Sequence, residues 1–440
     1  MRGQGLVAPL RRPLFRRLAI TYAINELGDW MGLIALSVLV YDQTESALAT
    51  AALFIGTGFL PALLAPALVA RVELPSPRFA LPVLYAAEAA AFGGLALLSV
   101  NFSLAGVIVL GAIDGALMLA ARALTRSVAA SLLEPVGELR AGNAILNVAF
   151  TGGAAIGPAI AGLVVAQFGI PTALLLDAVS FYAIAWILLT AGAMPRAEPE
   201  PGHMRARLRA GIAYIRGQDV LRRLLIAEGL AFVFFAAVIP VEVVYVKDTL
   251  ESSDTGYGLM LASWGAGMVL GSLLFARLRQ SSLGFLLLFS TLAVGGGYLG
   301  LAAAPTLAFA CLASVIGGAG NGVQWVTMIS AVQELTAESM QARVMSVLES
   351  IGAATPGVGF ALGGVIAALI SPRMTFLVAG SGVIAIVVVM APLLRGKWLE
   401  NGEMAVVPSL DGQDDVVVEL IPAQSRAGTN RSTGNSEEMT

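Results

Sequence analysis

The chain has 440 residues, of which 57% are hydrophobic and 12% charged, and its formal net charge is −3. Soluble domains carry about 25% charged residues, so this composition excludes a protein folded mainly in water and requires a membrane as the solvent. The single Cys311 and the single His203 exclude an intrachain disulfide and zinc sites built from Cys and His. We therefore expect no enzyme, no catalytic residue, no metal and no cofactor.

Long apolar stretches recur along the sequence. A helix needs about 20 apolar residues to cross ~30 Å of hydrocarbon, and the alternating ten-residue pattern of membrane strands is absent. In chain order, the predicted spans are 18–40, 47–70, 79–100, 103–124, 142–167, 171–193, 224–246, 256–276, 283–303, 306–331, 344–370 and 374–394. The predicted fold class is an all-α membrane protein with twelve transmembrane helices.

The positive charges predict the orientation of these spans. If the N-terminal tail is cytoplasmic, 24 of the 26 Lys and Arg residues fall on the cytoplasmic side, and only Lys247 and Arg373 fall outside. Cytoplasmic loops of membrane proteins carry such an excess. We expect both termini in the cytoplasm. The first span contains Glu26 and Asp29 and lacks a small-residue cleavage site, so we interpret it as a membrane span and not as a secretory signal.

Short internal matches indicate that the two halves of the chain repeat. Arg16-Arg17-Leu18 recurs at 222–224, Ala70-Arg71 recurs at 276–277, and Gly157, Ala159 and Gly162 match Gly359, Ala361 and Gly364. Two parallel six-span repeats around a central cavity are typical of secondary transporters. The predicted domains are a cytoplasmic tail (1–17), a six-helix bundle (18–193), a cytoplasmic loop with a basic amphipathic helix (194–223), a second six-helix bundle (224–395) and a largely disordered cytoplasmic tail (396–440).

The stretch 120–189 includes AARALTRSVAASLLEPVGELRAGNAILNVAFTGGAAIGPAIAG, and with 15–50 it resembles the major facilitator superfamily. The likeness is to its bacterial drug-efflux and siderophore-export branch, which includes macrolide-efflux-like and enterobactin-exporter-like proteins. Gly153, Gly157, Pro158 and Gly162 look like that branch's antiporter motif, G-x-x-x-G-P-x-x-[AG]-G, although Ala144 stands where an earlier glycine is expected. Such glycines also favour ordinary close packing of helices. The resemblance implies two pseudo-symmetric six-helix bundles and export by antiport.

The loop between spans 2 and 3 departs from the family pattern. The family usually has Gly, Asp and Arg there as a gating motif, and this chain keeps Arg71 but has Ala67 and Ala70 at the other two positions. Glu73 is a candidate substitute for the missing aspartate, and Arg78 completes the set of gating-loop candidates.

Acidic residues inside predicted spans are costly, and so they normally face a cavity or a partner. Asn25, Glu26 and Asp29 share one helical face in span 1, where two close carboxylates are expected to share a proton. Glu88 and Asp114 lie near the middle of spans 3 and 4. These four acids are the proton-coupling candidates, and the alternative for each is a structural role in packing or hydrogen bonding. In span 4, Arg122 resembles a basic residue that members of the family often keep.

Other polar residues in the spans are candidates for the substrate cavity or for the membrane interface. The cavity candidates are Asn25, Asn147, Asn321, Gln324 and Trp325, with rings such as Phe232 and Phe235 as an aromatic wall or as ordinary core. We expect Glu228 to lie within reach of the cytoplasmic interface, where it snorkels or is capped by loop arginines, and the alternative is a functional role. Asp177 lies about five residues into predicted span 6, and we expect it to be solvated at the outer interface.

Together these features predict a secondary active transporter that exports amphipathic or hydrophobic small molecules by alternating access, driven by protons. The alternatives are an importer or uniporter for a metabolite, and a non-transporting receptor or scaffold on the same fold. The expected partners are a small-molecule substrate, protons and the lipid bilayer. We expect no nucleic acid partner and a monomer. The resemblance implies a multi-pass protein of the bacterial inner membrane.

Overall fold

The computed structural model of the protein describes residues 7–63, 76–195, 204–278 and 281–394. The described residues belong to one compact unit. The predicted C-terminal tail, 396–440, lies outside the described residues. Within the described ranges the regular structure is helical and contains no strand.

Fourteen helices account for most of the described residues. They are α1 (Pro13–Thr44), α2 (Ala47–Leu63), α3 (Pro77–Val100), α4 (Leu104–Leu133), α5 (Leu139–Phe168), α6 (Ile170–Leu189), α7 (Met204–Gly217), α8 (Asp219–Val238), α9 (Asp254–Arg277), α10 (Leu283–Ala303), α11 (Leu307–Glu334), α12 (Gln341–Ala354), α13 (Pro356–Leu369) and α14 (Pro372–Leu394). Short 3-10 and π turns continue α8 as far as Thr249. Helix α7 occupies the position of the predicted basic amphipathic segment.

Eleven helical segments in the described part of the chain are long and apolar enough to cross a membrane, with α8 taken to Thr249 and α12 and α13 taken together. Each coincides with a predicted span. The remaining predicted span, 47–70, is described only as far as Leu63, where it forms the shorter apolar helix α2. These helices confirm the prediction of an all-α membrane protein.

Helix ends follow the local sequence. Ser103, Ser253 and Ser282 each accept a hydrogen bond from the backbone N–H three residues later, which caps α4, α9 and α10. Proline begins α3 and α13, where its missing N–H costs nothing. We name the two sides of the bundle by the connections they hold. The distal side holds the connections α1–α2, α3–α4, α5–α6, α8–α9, α10–α11 and α13–α14. The opposite side is the N-terminal side.

The two halves of the bundle meet along two pairs of helices, α5 with α9 and α2 with α13. Gly162 of α5 lies directly against Gly258 of α9, and a Cβ on Gly162 would come within 2.9 Å of the Gly258 Cα. The helices approach this closely because neither residue carries a side chain. On the other pair, the rings of Phe54 and Phe360 lie with their centroids 5.7 Å apart. Both contacts lie toward the distal side.

Candidate functional site

A buried ion-pair network joins α1 to α4 in the N-terminal half. The Arg122 Nη2 atom lies 2.9 Å from the Glu26 Oε2 atom and 2.7 Å from the Asp29 Oδ2 atom. Asn25 donates a hydrogen bond of 2.9 Å from its Nδ2 atom to the same Asp29 oxygen. The Glu26 side chain is 1% exposed and that of Asp29 14%. We call these four residues the Arg122 cluster.

The Arg122 cluster holds one positive charge against two carboxylates. A single guanidinium balances one of them fully, so the cluster is one proton away from neutrality. The predicted proximity of Glu26 and Asp29 is present, since each contacts the same Arg122 nitrogen. Asn25 was predicted to line the substrate cavity, but it is 1% exposed and contributes to this cluster instead.

Three further acids lie in the same half, of which Glu88 and Asp177 are fully buried and Asp114 is half-buried. Glu88 of α3 is fully buried, and neither of its carboxylate oxygens has a hydrogen-bond partner among the described residues. Asp114 of α4 has one such oxygen, Oδ1. Both residues lie within electrostatic reach of Asp29. The N-terminal half therefore surrounds one half-buried guanidinium with an excess of buried and half-buried acids.

The prediction for Asp177 is wrong. We expected solvation at the outer interface, but the residue is fully buried on α6. Its carboxylate packs against Gly28 and Gly32 of α1, where the missing side chains leave room for it, and its Oδ1 atom accepts a hydrogen bond of 3.2 Å from Ser180. Asp177 also lies within electrostatic reach of Asp29 and Asp114. The signal that sequence reasoning missed is a pair of glycines four residues apart on α1, which opens a slot for a side chain of a neighbouring helix.

In the C-terminal half, a cleft lies between α8 and α11. The polar residues that line it are Glu228, Asn321 and Gln324. Its apolar lining consists of the rings of Phe232, Phe235 and Trp325 and the side chains of Ala231, Val294 and Val383. Three of the predicted cavity residues (Asn321, Gln324 and Trp325) are thus brought together. The predicted cavity residue Asn147 is exposed on α5 and does not line this cleft.

Glu228 does not lie where the sequence suggested. The residue is 8% exposed, and its Oε2 atom accepts a weak hydrogen bond of 3.5 Å from the Gln324 Nε2 atom. We expected capping by loop arginines, but no ion pair to Glu228 occurs among the described residues.

The antiporter-like motif of α5 packs against both halves of the protein. Gly153 lies against Glu26 of α1, and Gly157 lies against Trp30 of the same helix. The carbonyl oxygen of Pro158 lies close to Gly258 of α9, as does Gly162. The motif therefore sets how closely α5 approaches the helix that carries the acids of the Arg122 cluster and the helix that forms the interface with the other half.

Polar contacts on the distal side join the two halves. The Lys247 Nζ atom lies 2.5 Å from Asp42 at the end of α1 and 2.7 Å from Asp254 at the start of α9. Beside it, the Tyr41 hydroxyl donates a hydrogen bond to Asp248. We call Lys247, Asp42, Asp254, Tyr41 and Asp248 the distal latch. Lys247 is one of the two basic residues that the sequence placed outside the cytoplasmic segments, and here it bridges the halves.

The gating-loop candidates are only partly described. Arg71 and Glu73 lie outside the described residues. Arg78 is exposed at the start of α3, with its guanidinium 5.4 Å from the centroid of the Phe79 ring.

Comparison with known proteins gives both a family and a fold. A major facilitator family model described as transmembrane secretion effector matches residues 4–406. No functionally curated protein matches the sequence. A solved structure of a mutant of the nucleoside transporter NupG is similar with a TM-score of 0.71 and 13% identity, covering 86% of this chain and 99% of that one.

Two other solved structures are similar to a comparable degree. A POT family transporter in complex with a thioalcohol-conjugated peptide has a TM-score of 0.67 and 17% identity, over 86% of this chain and 96% of that one. A bacterial homolog of the human lysosomal transporter Spinster, in an inward-facing and unoccupied conformation, has a TM-score of 0.64 and 12% identity, over 87% and 95%. At these identities the likeness shows the fold alone. Because the family model covers most of its length, the chain belongs to the transmembrane secretion effector family and is a membrane transporter of the major facilitator type.

Proposed function

We propose that the protein is a proton-coupled exporter of amphipathic or hydrophobic small molecules, located in a bacterial inner membrane with both termini in the cytoplasm. The observation that carries this proposal is the Arg122 cluster, in which one guanidinium contacts both Glu26 and Asp29. When a buried group of this composition gains or loses a proton, its net charge changes by one unit in a medium of low dielectric constant. The electrostatic energy of the group therefore changes strongly. Such a group can couple proton binding to a rearrangement of the surrounding helices.

The contacts between the halves support alternating access. In the proposed orientation the distal side faces outward, so the distal latch and the Gly162–Gly258 contact close the outer side of the bundle. The described conformation is then closed toward the outside. Opening to the outside requires the Lys247–Asp42 ion pair and the α2–α13 and α5–α9 contacts to separate.

The proposed cycle uses the acids of the N-terminal half. A proton from outside binds at Asp29 or Glu26, which makes the cluster neutral overall and weakens the attraction of that residue to Arg122, because a neutral carboxyl no longer forms an ion pair with the guanidinium. Arg122 is then available to the remaining carboxylate, and the helices that carry these groups, α1 and α4, shift relative to each other. Release of the proton to the cytoplasm restores the described arrangement. Three further acids of the same half can also bind the proton, namely Glu88, Asp114 and Asp177.

The test is directional transport in everted membrane vesicles that contain the full chain. ATP-driven acidification of the vesicle interior should drive substrate accumulation by the wild type, and Asp29→Asn should abolish it while the protein still inserts. Glu349→Gln is the matched control, because Glu349 is an exposed acid on α12 outside the Arg122 cluster. Unchanged flux in Asp29→Asn would remove the coupling role. Accumulation that appears only with the gradient reversed would indicate import, as in the alternative derived from the sequence.

A further inference from the structure

The cleft between α8 and α11 encloses an acid that has no basic partner among the described residues. Glu228 is 8% exposed and meets only the Gln324 amide, at 3.5 Å. A buried carboxylate normally has an ion-pair partner or several hydrogen bonds, because desolvation of the charge is costly. Neither is present for Glu228 among the described residues. The acid instead lines the cleft.

Aromatic rings stand next to this carboxylate. Phe232, Phe235 and Trp325 all line the same cleft as Glu228. The rings of Phe232 and Trp325 meet edge to face, with their centroids 6.5 Å apart and an interplanar angle of 73°. The faces of aromatic rings carry negative electrostatic potential and attract cations, most strongly in a desolvated site.

The remaining lining fits the same chemistry. Asn321 and Gln324 offer amide oxygens that accept hydrogen bonds, and Val294 and Val383 offer apolar surface. Among the described residues, no basic side chain lines the cleft. An anionic ligand would therefore meet a carboxylate with no compensating positive charge, whereas a neutral apolar ligand would leave the carboxylate unpaired.

We propose that this cleft binds the charged group of an amphipathic organic cation, such as a substituted ammonium, with Glu228 as its counter-charge and Phe232, Phe235 and Trp325 as its aromatic wall. The inference rests on the proposed transport function and names the substrate class for it. A bulky organic cation is weakly hydrated, so it loses little on entering the cleft. Its charge supplies the partner that the protein does not provide to Glu228.

The site is independent of the Arg122 cluster. Glu228 and Gln324 belong to α8 and α11 of the C-terminal half, whereas the Arg122 cluster belongs to α1 and α4 of the other half. The cation and the coupling proton would thus be held by different carboxylates on different helices, and the two roles can be tested separately.

The test is equilibrium binding of radiolabelled tetraphenylphosphonium to the purified full chain in lipid nanodiscs, with no proton gradient. Triphenylphosphine oxide, a neutral molecule with similar rings, serves as the matched neutral probe. The wild type should bind tetraphenylphosphonium saturably. Glu228→Gln should weaken that binding by about tenfold or more, because a charge-assisted contact is lost, and should leave binding of the neutral probe nearly unchanged.

Two further variants define the role of the charge. Glu228→Asp keeps the charge and should retain most of the binding, whereas Glu349→Gln, at an exposed acid of α12, should bind as the wild type does. Gln324→Lys places an ammonium beside Glu228, so an internal ion pair should replace the ligand and abolish binding of tetraphenylphosphonium. Since that pair satisfies the buried carboxylate, Gln324→Lys tests the proposal even if Glu228→Gln does not fold.

Three outcomes would overturn the proposal. They are the absence of saturable tetraphenylphosphonium binding by the wild type, wild-type binding by both Glu228→Gln and Gln324→Lys, and an equal loss of the charged and the neutral probe. Failure of the proposed proton coupling is distinguishable from these, because it would show as unchanged flux in Asp29→Asn with binding of tetraphenylphosphonium intact.

Discussion

The two halves of the bundle share a fold but enclose different charges. The N-terminal half buries Glu26, Glu88 and Asp177 completely, half-buries Asp29 and Asp114, and sets Arg122 among these five acids. The cleft of the C-terminal half holds one acid, Glu228, among amides and aromatic rings. In the first half the protein supplies its own counter-charge. In the second, the part of the chain that the structure describes provides no counter-charge to Glu228.

This difference indicates a division of roles between the halves. In a network whose charges are paired with one another, gain or loss of a proton changes the ion pairs. Such a network is therefore suited to coupling proton binding to a movement of helices. A carboxylate that lines an open cleft without a partner suits recognition of a cation brought from outside. Substitutions that remove a charge should therefore have opposite consequences for stability in the two halves.

The largest expected effect comes from Arg122→Gln. This change leaves the buried carboxylates of Glu26 and Asp29 without their guanidinium, and removal of one partner of a buried ion pair costs about 3–5 kcal/mol. We expect a sharp fall in the yield of folded protein and in the melting temperature of the purified protein. By contrast, Glu228→Gln removes an uncompensated charge, so its melting temperature should stay equal or rise.

A charge-balanced variant separates stability from coupling. The triple change Glu26→Gln, Asp29→Asn and Arg122→Gln removes all three charges, so it should recover most of the stability that Arg122→Gln loses. It should still show no gradient-driven flux in vesicles. If Arg122→Gln proves no less stable than Glu228→Gln, the contrast between the two halves is incorrect.

A smaller effect is expected from added volume. In Gly32→Ala the new methyl group would overlap the Phe92 ring and come within 3.1 Å of the Asp177 Oδ2 atom. Overpacking of this kind costs about 1–3 kcal/mol. The matched control is Gly296→Ala in α10 of the other half, where nothing lies within 4 Å of the added atom. There the melting temperature should be unchanged or slightly higher, since alanine favours a helix over glycine by about 0.5–1 kcal/mol. Equal melting temperatures for the two variants would mean that α1 does not pack tightly against Asp177.

The positions of the helices could be predicted from the sequence, because the length of an apolar run sets where a chain crosses the membrane. The grouping of Glu26 with Asp29 was also predictable, because residues three apart share a helical face. Their contact with Arg122 was not, since spacing along one helix does not reveal which face of α4 turns toward α1.

The same limit explains the errors at Asp177 and Glu228. Both were judged by their distance from a helix end, which indicates depth in the membrane but not direction around the helix axis. Asp177 points into the slot at Gly28 and Gly32, and Glu228 points toward Gln324. Helix rotation is set by packing against neighbours, and a single sequence gives that packing only weakly.

The smallest expected effect is at the distal latch, where the halves meet. Lys247→Met removes the ion pairs with Asp42 and Asp254, of which the Asp42 pair joins the two halves. Because a partly exposed pair contributes about 0.2–1 kcal/mol, loss of the Asp42 pair should shift the equilibrium toward outward opening by several-fold at most. Maleimide labelling from outside the cell can measure this, with Ser37→Cys as the reporter in a Cys311→Ser background, because Ser37 is fully buried on the distal half of α1. Labelling should be modestly faster with Lys247→Met than without it.

Arg373→Met is the matched control, because the hydrogen bond that Arg373 donates lies within its own half, to the Ala302 carbonyl at 2.9 Å. Equal labelling rates in the two variants would show that Lys247 does not hold the halves together, and that the Tyr41–Asp248 hydrogen bond with the glycine and phenylalanine contacts is sufficient to close this side.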